Sequence, residues 1–148
     1  MNNASLFLLS FSVGILVVIQ GGINAKLGVM LNNTLLATSA ALVMSTSFTL
    51  LAVFLTIREL PSLYQLQMIP TYMWFTGGAL SFLAVTLFYY IIPRIGIATA
   101  VIFGLSGQII FAAIASHFGW FGMPVEPITI KKVMGMLVMV MGVLLIKY

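Results

Sequence analysis

Long uncharged runs are the feature that most restricts how this chain can fold. Residues 95–116 contain no charged side chain, and a helix of that length rises ~30 Å, which matches the hydrocarbon thickness of a bilayer. The chain as a whole is 62% hydrophobic and 5% charged. Because so few polar groups cannot cover a globular surface, the sequence predicts an all-α integral membrane protein in contact with the lipid bilayer.

The charged residues are few and scattered. The formal net charge is +4, but the 6 basic residues form no cluster that could follow a phosphate backbone, so no nucleic-acid partner is expected. They suit helix ends at the membrane surface. The chain has no cysteine, which excludes disulfides, thiolate metal sites and thiol catalysis. The first residues lack the basic region of a secretory signal, and we expect them to be retained as a first span.

The pattern of apolar runs predicts about five transmembrane helices in a single domain, residues 1–148. Their approximate bounds are residues 5–23, 35–57, 73–92, 95–117 and 133–146. Asn32 or Asn33 can cap the second helix, residues 60–70 are typical of an interfacial segment, and Pro93 with Arg94 predicts a tight turn. The last helix has about fourteen apolar residues and spans only ~21 Å, so its flanking lysines must reach the interface or the bilayer must thin.

Small residues recur at four-residue spacing on the fourth predicted helix, with the amide of Gln108 in the same row. Membrane helices associate through close backbone approach and hydrogen bonds, and small residues one turn apart permit both. Gly135 and Gly142 indicate a second such face on the last helix. The residues predicted to pack on the fourth helix are Gly96, Ala100, Gly104, Ala112 and Ser116.

The distribution of basic residues leaves the orientation open. With five spans, Arg58, Lys131 and Lys132 lie on one side of the membrane, and the remaining basic residues, Lys26, Arg94 and Lys147, lie on the other. Positive charge therefore favours neither side. Either loop length or partner proteins decide the orientation, or the chain has dual topology and inverted copies form an antiparallel homodimer. No internal repeat is visible, so an inverted repeat would have to come from a second chain.

The chain offers little material for catalysis. It has 1 histidine and 2 acidic residues, both of them glutamates outside the predicted spans. Catalysis needs positioned acids, bases or nucleophiles, so an enzyme is not expected. No metal site can be assembled from these residues, and no cofactor is predicted.

Five polar residues are candidate substrate ligands. Gln20 and Asn24 are one helical turn apart, and Gln108 lies near the middle of a span, where an amide is tolerated if it faces a cavity or another amide. Equally, Gln20 and Asn24 can cap the end of their helix and join it to a neighbour. Arg94 suits a headgroup anchor or an anion ligand, and Tyr89 suits the interfacial aromatic belt or a polar mouth.

Several short motifs follow one another along the chain. Gln20, Asn24, Leu27 and Gly28 fit a Gln-x-x-x-Asn-x-x-Leu-Gly pattern. The further motifs, in order, are Gly77 and Gly78 after Trp74, the Pro93-Arg94-x-Gly96 turn, Gly107-Gln108, and the closing Gly135 and Gly142. In this order the motifs resemble those of the YdcZ-type inner-membrane proteins, small bacterial members of the drug/metabolite transporter superfamily. The resemblance covers nearly the whole chain, and it implies a multi-pass protein of the bacterial inner membrane that exports small molecules as paired half-transporters.

One departure from a related group bears on the substrate. The similar small multidrug resistance transporters use a glutamate in their first helix for protons and cationic drugs, whereas the comparable polar residues here are Gln20 and Asn24. Neither amide can titrate, so a neutral or anionic substrate is favoured over a lipophilic cation.

The sequence thus supports a dimeric transporter with a central polar cavity, the second chain being an inverted copy or a paired homologue. Two other hypotheses remain at this stage. One is a membrane subunit that binds a larger partner through its small-residue faces. The other is a lipid-handling protein with a groove open to the bilayer, suggested by the short last helix and its lysines.

Overall fold

The computed structural model describes residues 2–122 and 124–147, and all regular structure within them is helical. The helices are α1 (Asn3–Met30), α2 (Thr34–Thr56), α3 (Leu63–Gln67), α4 (Thr71–Ile95), α5 (Ile97–His117) and α6 (Ile130–Lys147), with a 3-10 turn at Trp120–Gly122. The helices α1, α2, α4 and α5 are each long and apolar enough to cross a bilayer. The predicted all-α membrane architecture is confirmed.

The last helix differs from these four in its charge. α6 has 18 residues, but they include Lys131, Lys132 and Lys147. Its start at Ile130 places the first two lysines inside the helix rather than before it. Whether α6 is a fifth span stays a prediction.

The chain divides into two compact units, Met1–Arg94 and Ile95–Tyr148. The first contains α1 to α3 and nearly all of α4, and the second contains α5 and α6. The single transmembrane domain expected for residues 1–148 stays a prediction.

α1 continues well beyond its predicted end at residue 23. It runs to Met30, so Gln20 and Asn24 lie within the helix and not in a terminal turn. Lys26 does not stop it, because a lysine side chain can extend its ammonium group towards the interface. The chain then turns at Asn32, which has a φ of 51°. As predicted, an asparagine caps α2: the side chain of Asn33 accepts hydrogen bonds from the backbone N–H groups of Leu35 and Leu36 at 2.9 and 3.3 Å.

The α1–α2 hairpin is held together by small residues. Gly28 is buried, and a Cβ added to it would lie 3.5 Å from the Cβ of Ala37 and 3.5 Å from the Cα of Thr34. Ala25, Ala37 and Thr38 are also buried. Two backbones can approach this closely only where neither helix presents a large side chain, which is the usual basis of helix pairing in membranes.

The connection between α4 and α5 lies later than predicted. α4 does not end at residue 92 but includes Pro93 and continues to Ile95. Proline has no N–H, so the hydrogen bond that residue 93 would donate to the Tyr89 carbonyl is absent. The helix tolerates this loss because only two residues of α4 follow Pro93. The turn is made by Gly96 at a φ of 83°, a left-handed conformation that glycine adopts without steric cost. Gly96 therefore precedes α5 as a turn residue.

Two hydrogen bonds tie the loop before α6 back to the end of α5. The backbone N–H of Glu126 donates to the Ser116 carbonyl at 3.0 Å, and that of Ile128 donates to Nδ1 of His117 at 3.2 Å. These bonds fix the loop against α5, and they give His117 a structural role.

Candidate functional site

Two amides of α1 converge on a single phenol of α4 within the first unit. Nε2 of Gln20 donates to the hydroxyl of Tyr89 at 3.0 Å, and Nδ2 of Asn24 donates to the same oxygen at 2.9 Å. The two amides meet it together because residues four apart lie on one helical face. Tyr89 is only 2% exposed, whereas Gln20 is exposed and Asn24 is half-buried. We call Gln20, Asn24 and Tyr89 the amide–phenol cluster.

The hydrogen-bonding capacity of the cluster is not exhausted by these two bonds. The phenol oxygen accepts both donors, and its own O–H remains available to donate. The side-chain carbonyls of Gln20 and Asn24 remain available to accept. The cluster can therefore offer both a donor and acceptors to a polar ligand without any change in charge.

A glycine lets the two helices meet beside this cluster. Gly21 is buried on α1, and a Cβ added to it would lie 2.7 Å from Cε1 of Phe88 and 3.4 Å from Cδ1 of Ile92. The first distance is shorter than any ordinary contact between carbon atoms. A side chain at position 21 would collide with the Phe88 ring and would fit only if that ring or α4 moved.

An unsatisfied hydroxyl lies one turn before Tyr89 on α4. Oγ1 of Thr86 is buried and has no hydrogen-bond partner among the described residues. Thr86, Tyr89 and Pro93 follow one another at helical spacings of three and four, so they share a face. Sequence reasoning missed Thr86, although this spacing from Tyr89 was a signal that could have found it.

A polar pocket of about 370 Å³ lies next to Tyr89, between the α1–α2 turn and the end of α4. Its volume is within the usual range for small-molecule sites. Arg94 belongs to its lining. The guanidinium carbon of Arg94 lies 3.3 Å from the centroid of the Tyr90 ring, and the group also donates to the Tyr90 carbonyl. The pocket is lined by Ala25, Gly28, Val29, Asn32, Asn33, Thr34, Tyr89, Pro93 and Arg94.

A second pocket, of about 260 Å³, lies on the α2 side of α1. Gln20 and Asn24 contribute its amides, Ser45 contributes a hydroxyl, and most of the remaining lining is apolar. Tyr89 lines the first pocket, and its hydroxyl accepts hydrogen bonds from Gln20 and Asn24, which line the second. The amide–phenol cluster therefore borders both pockets. The lining comprises Gln20, Asn24, Leu27, Ala40, Ala41, Met44, Ser45 and Phe48.

The structure brings three of the five predicted ligands into direct contact and places the others separately. Arg94 lines a pocket with Tyr89 but makes its own contacts with Tyr90. Gln108 is exposed on α5, in the second unit. Its placement in one cavity with Gln20 and Asn24 stays a prediction.

The predicted packing stripe of α5 has no uniform environment. Ala100 is buried and Ser116 half-buried, whereas Ala112 is exposed. A Cβ added to Gly104, or to Gly135 or Gly142 on α6, would have no heavy atom within 4 Å. These positions face open space within the described chain, and their role in helix packing stays a prediction.

The described residues contain no group of three or more histidine, cysteine, aspartate or glutamate side chains that could hold a metal ion. The ionic contact found among the described residues lies outside the four long hydrophobic helices α1, α2, α4 and α5. There, Nζ of Lys132 lies 2.9 Å from Oε2 of Glu126, and this hydrogen bond and charge hold the pKa of Glu126 below its usual range. The polar groups that meet between α1 and α4 are neutral, whereas this ion pair joins the first turn of α6 to the loop before it.

Together, the apolar helices and the neutral polar cluster between two of them define a multi-pass α-helical membrane protein. The family described as "Putative inner membrane exporter, YdcZ" matches residues 5–145, nearly the whole chain. The chain belongs to this family and is a protein of the inner membrane. This membership favours a transporter over an enzyme. No curated protein and no solved structure matches the chain.

Proposed function

We propose that this protein exports small polar molecules, neutral or anionic, and that the amide–phenol cluster is the part of the site that binds them. The observation that carries the proposal is the convergence of Gln20 and Asn24 on the buried hydroxyl of Tyr89, at 3.0 and 2.9 Å. Polar groups within a membrane span are costly, and this arrangement keeps unused donors and acceptors beside two pockets.

The chemistry of the cluster supports the substrate class. Amides and a phenol recognise hydroxyl, amide or carboxylate groups through hydrogen bonds. The spans carry no carboxylate, since both glutamates, Glu59 and Glu126, lie between helices. A lipophilic cation would therefore enter the site without a counter-charge, which is unfavourable at low dielectric.

Arg94 extends the proposal to anions. It is exposed at the end of α4 and lines the polar pocket that Tyr89 also lines. A guanidinium held over an aromatic ring keeps its outer N–H groups free for a carboxylate or phosphate. We place Arg94 at the mouth of the pathway, where it attracts an anion before the neutral cluster binds it.

We further propose that the transporter is an antiparallel homodimer formed by chains of opposite orientation, with Gln108 facing the same central cavity. The support is the even division of basic residues and the open face of Gly104 on α5, at which a second chain can approach closely. A paired homologue of opposite orientation could supply the same partner.

The test of transport compares two neighbouring tyrosines. Cells expressing the protein are grown with a panel of toxic polar compounds, including neutral polyols, amides and carboxylates, and export is measured as loss of the compound from preloaded cells. We expect Tyr89→Phe to abolish export of the compounds that the natural protein removes, and Tyr90→Phe, which keeps the ring beneath Arg94, to preserve it. Equal export by both variants would refute the role of the cluster, and export restricted to lipophilic cations would refute the substrate class.

The test of the dimer uses the absence of cysteine. Single-cysteine variants at Ser62, at Gly122 and at the carboxyl terminus are labelled from each side of the membrane with an impermeant thiol reagent. Labelling of every site from both sides, in about equal populations, supports dual topology. Labelling of each site from one side only would exclude an inverted homodimer and leave a paired homologue as the partner.

A further inference from the structure

A groove runs along the second unit between α5 and α6, separate from the cluster described above. Its volume is about 430 Å³. Each helix contributes residues at spacings of three and four, so each presents one continuous face to the groove. The lining residues are Ile109, Ala112, Ala113 and Ser116 of α5, Lys132, Gly135, Met136 and Met139 of α6, and Glu126 of the loop.

The groove has a polar end and an apolar end. The polar end is formed by Ser116, Glu126 and Lys132. The backbone N–H of Glu126 donates to the Ser116 carbonyl at 3.0 Å, and Nζ of Lys132 donates to the Glu126 carboxylate at 2.9 Å. Ile109 and Met139 lie seven residues further along their helices, ~10 Å away. The walls between them are alanine, glycine and methionine. The groove therefore changes from ionic to fully apolar along its length.

This order of chemistry is that of a phospholipid, whose phosphate headgroup is joined to an apolar chain. We propose that the groove is a phospholipid site, in which an acyl chain lies against α5 and α6 and the phosphate binds Lys132. Small residues leave the space for the chain, because a Cβ on Gly135 would have no heavy atom within 4 Å.

The charges at the mouth select the headgroup. Lys132 and Glu126 line this end of the groove. Lys131 does not line it but is the residue before Lys132, so two positive charges stand near the single negative charge of Glu126, which leaves one positive charge. A headgroup with a single net negative charge, such as phosphatidylglycerol, neutralises this excess, whereas a zwitterionic headgroup brings an ammonium group of its own. The side chains of Lys132 and Glu126 are 42% and 67% exposed, and an exposed ion pair separates at little cost in free energy. The lipid phosphate can therefore replace the Glu126 carboxylate as the partner of the Lys132 ammonium group.

The experiment measures lipid binding to the purified full-length protein by native mass spectrometry. The protein in detergent is titrated with phosphatidylglycerol and, separately, with phosphatidylethanolamine of the same acyl chains. We expect one phosphatidylglycerol to bind about fivefold more tightly than phosphatidylethanolamine, as one lysine at a membrane surface contributes that much. Equal binding of the two lipids would overturn the proposal.

Two glycines of α6 provide a matched pair for the groove. Gly135→Leu fills the groove and should abolish phosphatidylglycerol binding. Gly142 also faces open space but does not line the groove, so Gly142→Leu should leave binding unchanged. Equal lipid binding by these two variants would place the lipid elsewhere. If Gly135→Leu does not fold, as judged by gel filtration, Ala112→Phe fills the groove from the opposite wall and takes its place.

The two members of the ion pair should change headgroup preference in opposite directions. Lys132→Gln removes the phosphate ligand and should bring the affinities for the two lipids together. Glu126→Gln releases Lys132 and should strengthen phosphatidylglycerol binding about fivefold. A loss of phosphatidylglycerol binding in both variants would show that the pair only holds the loop, and it would overturn the assignment of Lys132 as the phosphate ligand.

Discussion

The two units of this protein place polar groups in opposite ways. In the first unit, Tyr89 is 2% exposed and its hydroxyl is bound by two neutral amides inside the hydrophobic helices. In the second, Glu126 and Lys132 are charged, exposed and close to a helix end. The difference follows from the cost of charge in hydrocarbon: neutral groups can be buried if they are hydrogen-bonded, whereas ions are stable only where water or headgroups solvate them.

The same contrast appears in their glycines. Gly21 of the first unit fills a closed contact with Phe88, and Gly135 of the second faces open space. The first kind of glycine serves contact between helices of the same chain, and the second leaves room for another molecule. The four predictions that follow test this contrast, from the largest expected effect to the smallest.

The largest effect should come from closing the space at Gly21. Gly21→Leu forces a side chain into Phe88 and should lower the free energy of unfolding by about 1–3 kcal/mol, the usual cost of overpacking. Gly14→Leu on the same helix is the control, because a Cβ there meets nothing within 4 Å. Unfolding in mixed micelles, followed by circular dichroism, measures both. A Gly21 variant as stable as the Gly14 variant would show that α1 and α4 do not pack as described.

Removal of the Tyr89 hydroxyl should have the next largest effect. Tyr89→Phe deletes the acceptor of two hydrogen bonds and should destabilise the protein by about 1–2 kcal/mol, since each such bond in a membrane protein contributes roughly 0.6 kcal/mol or more. Tyr90→Phe should leave stability unchanged, because no hydrogen bond from the Tyr90 hydroxyl is found among the described residues. The same unfolding assay distinguishes them, and an equal loss in both would contradict the special role of Tyr89.

The unsatisfied hydroxyl of Thr86 should make its removal favourable. Thr86→Val replaces a buried group that has no partner among the described residues with a methyl of similar size. We expect a gain of about 1 kcal/mol in the free energy of unfolding, the lower part of the desolvation cost of an unpaired polar group. Thr76→Val is the control, because the hydroxyl of Thr76 donates to the Tyr72 carbonyl at 2.9 Å. Destabilisation by Thr86→Val would mean that its hydroxyl has a partner in the membrane.

The smallest effect concerns the titration of Glu126. Its pKa is lowered first by the hydrogen bond from Lys132 and then by the charge of Lys132, so Lys132→Gln should raise this pKa, and Lys131→Gln should leave it low. A lowered pKa means that the ion pair contributes stability above the unfolded-state pKa and loses that contribution as the pH falls through the folded-state pKa. Carbon-13 NMR of the labelled carboxyl group measures the pKa directly. An equally low pKa in the Lys132 variant would contradict the contact.

Local sequence patterns predicted much of the fold correctly. The uncharged runs located the long hydrophobic helices α1, α2, α4 and α5, and the Asn32–Asn33 pair predicted that an asparagine caps α2. The helix ends were less accurate. A lysine such as Lys26 can reach the interface from within a helix, and Pro93 lies so near the end of α4 that it costs few hydrogen bonds. For these reasons α1 and α4 extend further than predicted.

The candidate site was only partly accessible from sequence. Gln20, Asn24 and Tyr89 were recognised individually as candidates because polar residues are rare in hydrophobic helices. Their contact was not predictable, since 69 and 65 residues separate the partners in the chain. The groove beside Glu126 and Lys132 was also missed as a specific site, although the short last helix and its lysines had suggested a lipid.

The sequence by itself determined that this is an α-helical membrane protein and, through the order of its motifs, which family it belongs to. These properties depend on hydropathy and on residue order, which are written along the chain. The tertiary structure decided which polar groups meet, which glycines are closed or open, and where pockets form. These depend on the packing of helices that are distant in sequence, and the same small residues serve equally well against a helix of this chain, a second chain or a lipid.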